Sequence, residues 1–498
     1  MVLRTYGLSG SGMDVDQLVK GLMKARQVPY DTMIQKKTQF EWKKADYNTM
    51  YNTISDFRNT VFNNKLQATL TPKEASSADD SIVSATALAD AVNTTHTITV
   101  AQLADGVKKS SSDDITPVGN SKTTLATQFG LAGSFDVKIT NGDESATITV
   151  DTSESIYEFV SSINEAGINV TASYDATLDR FFLNTNDSGS SSEIDFTGSD
   201  AAGLTFLGTN LLLNTATENG KDAEFALDGV GTGILGGAGN LQVSTNKVTI
   251  SSVTYNLKTT GTTTVTVSPD IDKVVDNVKA FIYSYNSTLA IINGELNETR
   301  NRDYLPLTDD QKSAMKESDI TSWETKAKSG MLQRDQILSN LVNTMRNNFS
   351  NPVSGLTGSY KNASSIGITT NNYIEGGKLY LDENKLRTAL QSDPNIVYKI
   401  FGTDGDSSSE DGISVRLYDT LKGSMDKIVS EAGITATVDG DTQSNLAKRI
   451  NDYTELMDDL NSRLQDVEDR YYKQFNAMEA ALNRLSQQSN WLAQQFAQ

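Results

Sequence analysis

Cysteine is absent from the 498 residues, and histidine occurs once, at His96. Without thiols there is no disulfide framework, no thiolate nucleophile and no Cys-ligated metal. A single imidazole removes the commonest general base and transition-metal ligand from most of the chain. No apolar run reaches the ~18 residues of a membrane span. The opening Met1-Val-Leu-Arg-Thr-Tyr-Gly lacks the apolar core of a secretory signal, so no conventional signal is expected. Cations are outnumbered, 43 Lys and Arg against 63 Asp and Glu, for a net charge of −20. That balance argues against nucleic acid and against anionic membrane surfaces as partners, since both select clustered Lys and Arg.

What the chain has in quantity is helical periodicity at its two ends. From Leu446 an apolar seam runs through Ile450, Tyr453, Met457, Leu460, Leu464, Val467, Tyr471, Phe475, Met478, Leu482 and Leu485. The mean step is about 3.55 residues, between the 3.5 of a supercoil and the 3.6 of a straight helix. No Pro or Gly follows Gln443. A helix of that length reaches roughly 75 Å and needs a partner along its stripe. A bundle core helix is one reading; the length favours a chain-end coiled coil. Near the other end Phe40, Tyr47, Ile54 and Val61 recur every seven residues, with Met33, Met50 and Phe57 beside them. Lys36, Lys37, Lys43 and Lys44 interrupt that stripe, which makes it weaker toward its start. This segment is the expected partner of the C-terminal seam. Before it, Asp14 can cap a shorter helix with Leu18, Val19, Leu22 and Met23 on its apolar face. Val28-Pro29 is expected to break or kink it. From Val467 the steps to Tyr471 and Phe475 are four and four, a stutter where the C-terminal helix is expected to leave its partner.

Between about Ser76 and Pro269 heptads vanish and period-two alternation replaces them, as in Thr97-Ile98-Thr99-Val100 and Ala146-Thr147-Ile148-Thr149-Val150. Asn141-Gly142 is a hairpin signal. Ile156, Phe159, Val160 and Ile163 mark one helix, with Ser155 and Glu158 in capping-box spacing. The polar stretch Ser110 to Thr124 reads as a linker. After Pro269 helices return, interrupted by a hairpin around Glu375-Gly376-Gly377. The layout is nested: helical ends, helical body, β insertion. The fold class is α+β multidomain, with a terminal helical coiled-coil leg, a helical body domain and two nested β-rich plate domains.

Chemical motifs are few. Gly231-Thr-Gly233-Ile-Leu-Gly236 matches G-x-G-x-x-G, but a strand-like Leu241-Gln-Val243 follows where a dinucleotide site needs a helix, so it reads as a hairpin loop. Asp404-Gly-Asp406 and Asp439-Gly-Asp441 do not continue into a Ca²⁺ loop and read as solvated turns. His96 reads as a strand-end residue. Nothing marks a paired-carboxylate hydrolase, and no catalytic residue, metal or cofactor is expected.

Several segments together resemble the flagellar hook-associated protein 2 family, the filament cap proteins. Gly7-Leu8-Ser-Gly-Ser-Gly12-Met-Asp14 through Leu22-Met23, followed by Pro29, is similar to its opening motif. Phe281-Ile-Tyr-Ser-Tyr285-Asn286 resembles its Tyr-Asn helix. Tyr304 to Lys312, with Trp323-Glu324, resembles an insertion of Gram-positive members. Ser365-Ile-Gly367, Gly377-Lys-Leu379-Tyr-Leu381-Asp382, Val397 to Phe401 and Gln474-Phe475-Asn-Ala-Met478 are similar to its C-terminal signature. Phe135 to Phe182 resembles a repeat inserted in flagellins and hook-associated proteins.

The resemblance implies a leg of residues 1–44 with 441–498 and a body of 45–72 with 268–440. The plate would be 73–118 with 217–267, carrying an inserted domain, 119–216. It implies export through the flagellar type III apparatus to the distal tip of the filament and a structural, non-enzymatic role. There the cap would promote flagellin folding and insertion and prevent loss of exported subunits. The implied partners are further copies of the chain in a ring-like homo-oligomer, a pentamer being one stoichiometry, together with flagellin, hook–filament junction proteins and an export chaperone. A distal plate also meets host surfaces first, which adds a host surface or mucin. The alternatives are a hook–filament junction protein and a surface adhesin.

Overall fold

The computed structural model describes residues 14–230 and 241–496. The chain divides into two compact units, residues 1–70 with 271–498, and residues 71–270.

In the first unit Asp14 accepts the Gln17 N–H at 3.0 Å and starts a helix that runs without interruption from Val15 to Asn63. Pro29 lies inside it, so the expected break does not occur. The ring removes the bond that would reach the Ala25 carbonyl, but that turn is exposed and water can serve the carbonyl instead. The last helix spans Asn445–Phe496. Between them, helices Ile271–Asn297, Gln336–Ser350 and Ile413–Ala432 enclose one apolar core with the second half of the first helix. Phe281 is its centre, with ring centroids 6.1 Å from Phe57, 6.1 Å from Phe349 and 5.6 Å from Phe401. The short pair Ile368–Thr370 and Leu379–Leu381 is stapled to this body by Asn286, whose amide donates to the Leu379 carbonyl at 2.9 Å and accepts its N–H at 2.8 Å.

The second unit is built on strand alternation. A five-stranded antiparallel sheet has the order Lys73–Ser77, Gly261–Pro269, Thr95–Gln102, Ala223–Leu227, Leu241–Val243. Ile98, Val100, Val265 and Val267 face its core. On the solvent side Thr95 and Thr99 meet Thr266 and Thr262 through their hydroxyls at 3.1 and 3.0 Å. A three-stranded sheet, Lys247–Ile250, Val253–Leu257 and Val83–Ala87, shares that core.

A second core in this unit gathers around Phe206, whose ring lies 5.1 Å from Phe135, 5.3 Å from Phe159 and 5.9 Å from Phe129. It is formed by the hairpin Ser134–Asn141 and Glu144–Asp151, the helix Ile156–Glu165, and the strands Lys108–Ser110, Arg180–Thr185 and Val170–Asp175. The Ser110 to Thr124 stretch is not a free linker. Ile115 is buried in this core, and the Thr116 N–H donates to Asp179 at 2.9 Å. Its polar residues hid that role because the anchoring apolar residue stands alone, without period.

Candidate functional site

The two end helices run antiparallel. The Phe40 ring packs at a tilt of 53° against Tyr453, centroids 5.7 Å apart, with the Arg449 guanidinium 5.7 Å from the Phe40 ring. Further out, Val15, Val19 and Met23 are buried against Leu464 and Tyr472, with Leu460, Val467, Tyr471 and Phe475 half-buried beside them. The Tyr472 hydroxyl donates to Asp16. Leu446 and Ile450 are fully buried and Met457 is half-buried.

Three seam expectations are corrected by this arrangement. First, Pro29 does not divide the first helix: residues on both sides of it pack on the last helix as one continuous element. Second, the last helix does not leave its partner at the stutter; contact persists to Tyr472 and Phe475. Steps of four and four rotate the seam, so Tyr472, one residue beyond the apparent seam position, becomes the buried one. Third, Tyr47, Ile54, Phe57 and Val61 lie in the core of the helical body, with Phe57 against Phe281 and Tyr285. A stripe facing several helices has the same heptad signature as one facing a single helix, and only tertiary packing distinguishes them.

Leu18 and Leu22, expected on the apolar face with Val19 and Met23, are 44% and 43% exposed. Beyond Phe475 the helix carries Met478, Leu482 and Leu485 at 41%, 38% and 61% exposure, then Trp491 and Leu492. Gly7, Leu8 and Gly12 lie outside the described residues, as does the Gly231 to Gly236 motif. A groove of about 520 Å³ opens between the end helices, lined by Pro29, Met33, Lys36, Arg449, Tyr453 and Leu456.

Where leg and body meet, charge is buried. Lys44, one of the cations that weaken the stripe, is fully buried and bonds both the Ala432 carbonyl and Asp441. Burial pushes the Asp441 carboxyl upward, but hydrogen bonds from Lys44, Ser444 and the Gln443 backbone outweigh it and hold the group well below the usual carboxylate range. Gly433, at φ 70°, admits this carboxylate: a Cβ there would lie 2.2 Å from Asp441 Oδ2. Two residues along, burial and the carboxylates of Glu295 and Glu298 push Asp46 up to about 6, against the partial relief of Lys328. Lys328 also lies 5.1 Å above the Trp42 ring.

These are packing features within the chain. Among the described residues no group of three His, Asp or Glu side chains could hold a metal ion, and no helix is long and apolar enough to cross a membrane. His96 Nδ1 is 2.6 Å from Asp228 Oδ2, whose other oxygen accepts the Thr97 N–H at 2.8 Å. That pair fastens the Leu227–Val230 turn to the neighbouring strand.

Comparison with known proteins agrees with the arrangement. Family models for the flagellar hook-associated protein 2 N-terminus and C-terminus match residues 11–107 and 220–487. The flagellar hook-associated protein 2 of Halalkalibacterium halodurans is 30% identical, over 99% of this chain and 100% of its own length. That of Thermotoga maritima is 23% identical, over 97% and 94%. The fold is similar to the D1–D2–D3 domains of the flagellar cap protein FliD from Escherichia coli. That match has a TM-score of 0.53 and 21% identity, over 82% of this chain and 99% of that one. With the match running from end to end, the chain belongs to the flagellar hook-associated protein 2 family.

Proposed function

We propose that the end of the last helix is the part of this filament cap that engages the structure below it. The supporting observation is the exposed apolar side chains of that end. The helix continues for 21 residues past Phe475, roughly 30 Å, and presents Met478, Leu482, Leu485, Trp491 and Leu492 to solvent. Glu479 and Arg484 are the charged residues of that stretch, so covering it desolvates little charge. Each large side chain that becomes fully buried contributes roughly 1.5–3 kcal/mol. A helix of flagellin, or of a hook–filament junction protein, fits this seam.

The chain caps the distal tip of the filament, promotes insertion of flagellin and retains exported subunits. Its action is mechanical and requires no catalysis. Copies assemble as a ring, a pentamer being one stoichiometry, after delivery by an export chaperone; the β-rich plate is the part available to a host surface or mucin. The test is a chain ending at Phe475 in cells lacking the native cap. We expect a folded, exported protein with no filament growth. Filaments of ordinary length would refute the role of this end.

A further inference from the structure

The hairpin Ser134–Asn141 and Glu144–Asp151 has two outer edges, and they are treated differently. On the first strand the outward N–H groups of Asp136, Lys138 and Thr140 are taken. Asp136 donates to Asp200 Oδ2 at 2.9 Å, Lys138 to Ser199 Oγ at 2.8 Å and Thr140 to the Asp195 carbonyl at 2.9 Å. Their register partners are Thr149, Thr147 and Ser145. Directly opposed residues of an antiparallel pair point their backbone groups the same way relative to the pair, inward together or outward together. The N–H and C=O groups of Ser145, Thr147 and Thr149 therefore face away from the hairpin, and no hydrogen bond to them occurs among the described residues. The nearby strand Val170–Asp175 shows what a closed edge looks like. The Asn164 side chain donates to the Ala172 carbonyl at 3.1 Å and accepts its N–H at 2.8 Å.

We propose that the Glu144–Asp151 edge is a docking site for an extended segment of another polypeptide, added as a further strand and carrying cationic residues at its ends. The edge is eight residues long and anchored from behind by buried Ile148 and Val150. The Ser145, Thr147 and Thr149 side chains are exposed beside it. An open edge of this kind is a template for strand addition, with backbone bonds supplying affinity. The ends select the partner. Asp143 and Glu144 flank one end, Asp151 and Glu154 the other. Lys138, opposite Thr147, sits one strand further in and acts on Asp195. The same acids disfavour a second copy, because antiparallel self-pairing through the outward groups, centred on Thr147, sets Asp143 against Asp151 at both ends. A cleft of about 360 Å³ at the Glu144 end, bounded by Asn164, Asn169, Thr171 and Asn186, leaves room for a long basic side chain. Failure of this docking would leave the cap reading intact.

The experiment adds a synthetic peptide of alternating Thr and Val with a Lys at each end to the full chain, and follows amide hydrogen exchange. Exchange at Ser145, Thr147 and Thr149 should slow at least about tenfold. A peptide with Glu at each end should give no protection. Thr147→Pro, which deletes an outward N–H at a position where an edge strand tolerates proline, should abolish binding. Thr147→Lys keeps the N–H and the fold, and its cation should weaken binding of the Lys-ended peptide severalfold. Absence of protection overturns the proposal, as does equal protection by the Glu-ended peptide. Concentration-dependent protection without peptide overturns it in favour of a second copy.

Discussion

Lys44 is where one residue decides most. A lysine in an apolar heptad normally marks a solvated flank, yet here it is buried with its charge neutralised by Asp441 and its remaining donors turned to Ala432. Such a pair adds little over an apolar isostere but is costly to break from one side. Lys44→Met is expected to lower stability by about 3 kcal/mol in urea unfolding, because Asp441 stays behind half-satisfied. Since the Asp441 carboxyl is depressed on folding, its contribution is present above about pH 4 and fades as acid protonates it. Asp46 has the opposite sign. Its folded value of about 6 exceeds the unfolded value, so the folded state binds the extra proton and stability falls as pH rises from 4 to 6. Asp46→Asn should therefore raise stability at pH 8 by about 1 kcal/mol once screening of this half-buried group is allowed for, read as a higher melting temperature, and leave it unchanged at pH 4.

Two helix features shape the leg. Pro29 sits inside a continuous helix, where it costs a hydrogen bond yet does not end the element. Pro29→Ala should stabilise the outer leg by up to ~3 kcal/mol, read as slower amide exchange at Val19 to Met23, with no effect on the body core. The stutter beyond Val467 is the other. It hands the buried position to Tyr472, whose hydroxyl meets Asp16 two residues inside the first helix. Among the described residues, apolar contact in the leg thus ends where the first helix begins, at Phe475 of the last helix.

In the whole molecule the clearest division is between residues 71–270 and the rest. Both apolar cores of the β-rich unit are made from its own residues. A fragment of residues 71–270 is expected to fold by itself, with a strand-rich circular dichroism spectrum and a cooperative melt. A non-cooperative melt would show that the helical unit is needed for its order.

The sequence by itself determined the element types, because periods of 3.5 and 2 are imprinted in Leu446 to Leu485 and in Thr97 to Val100 whatever those segments pack against. It also determined the family, through short motifs whose meaning is local; Asn286, which clasps the Leu379 strand, is one. Tertiary structure decided the destinations. The stripe of Tyr47, Ile54, Phe57 and Val61 names a buried face but not the partner; its spacing pointed to the C-terminal seam, and three-dimensional packing set it against the several helices of the body core. It also buried Lys44 and Ile115, which no pattern in their neighbours announces. The open edge at Ser145, Thr147 and Thr149 was equally hidden, since a backbone group is free or taken only by what the rest of the fold brings beside it.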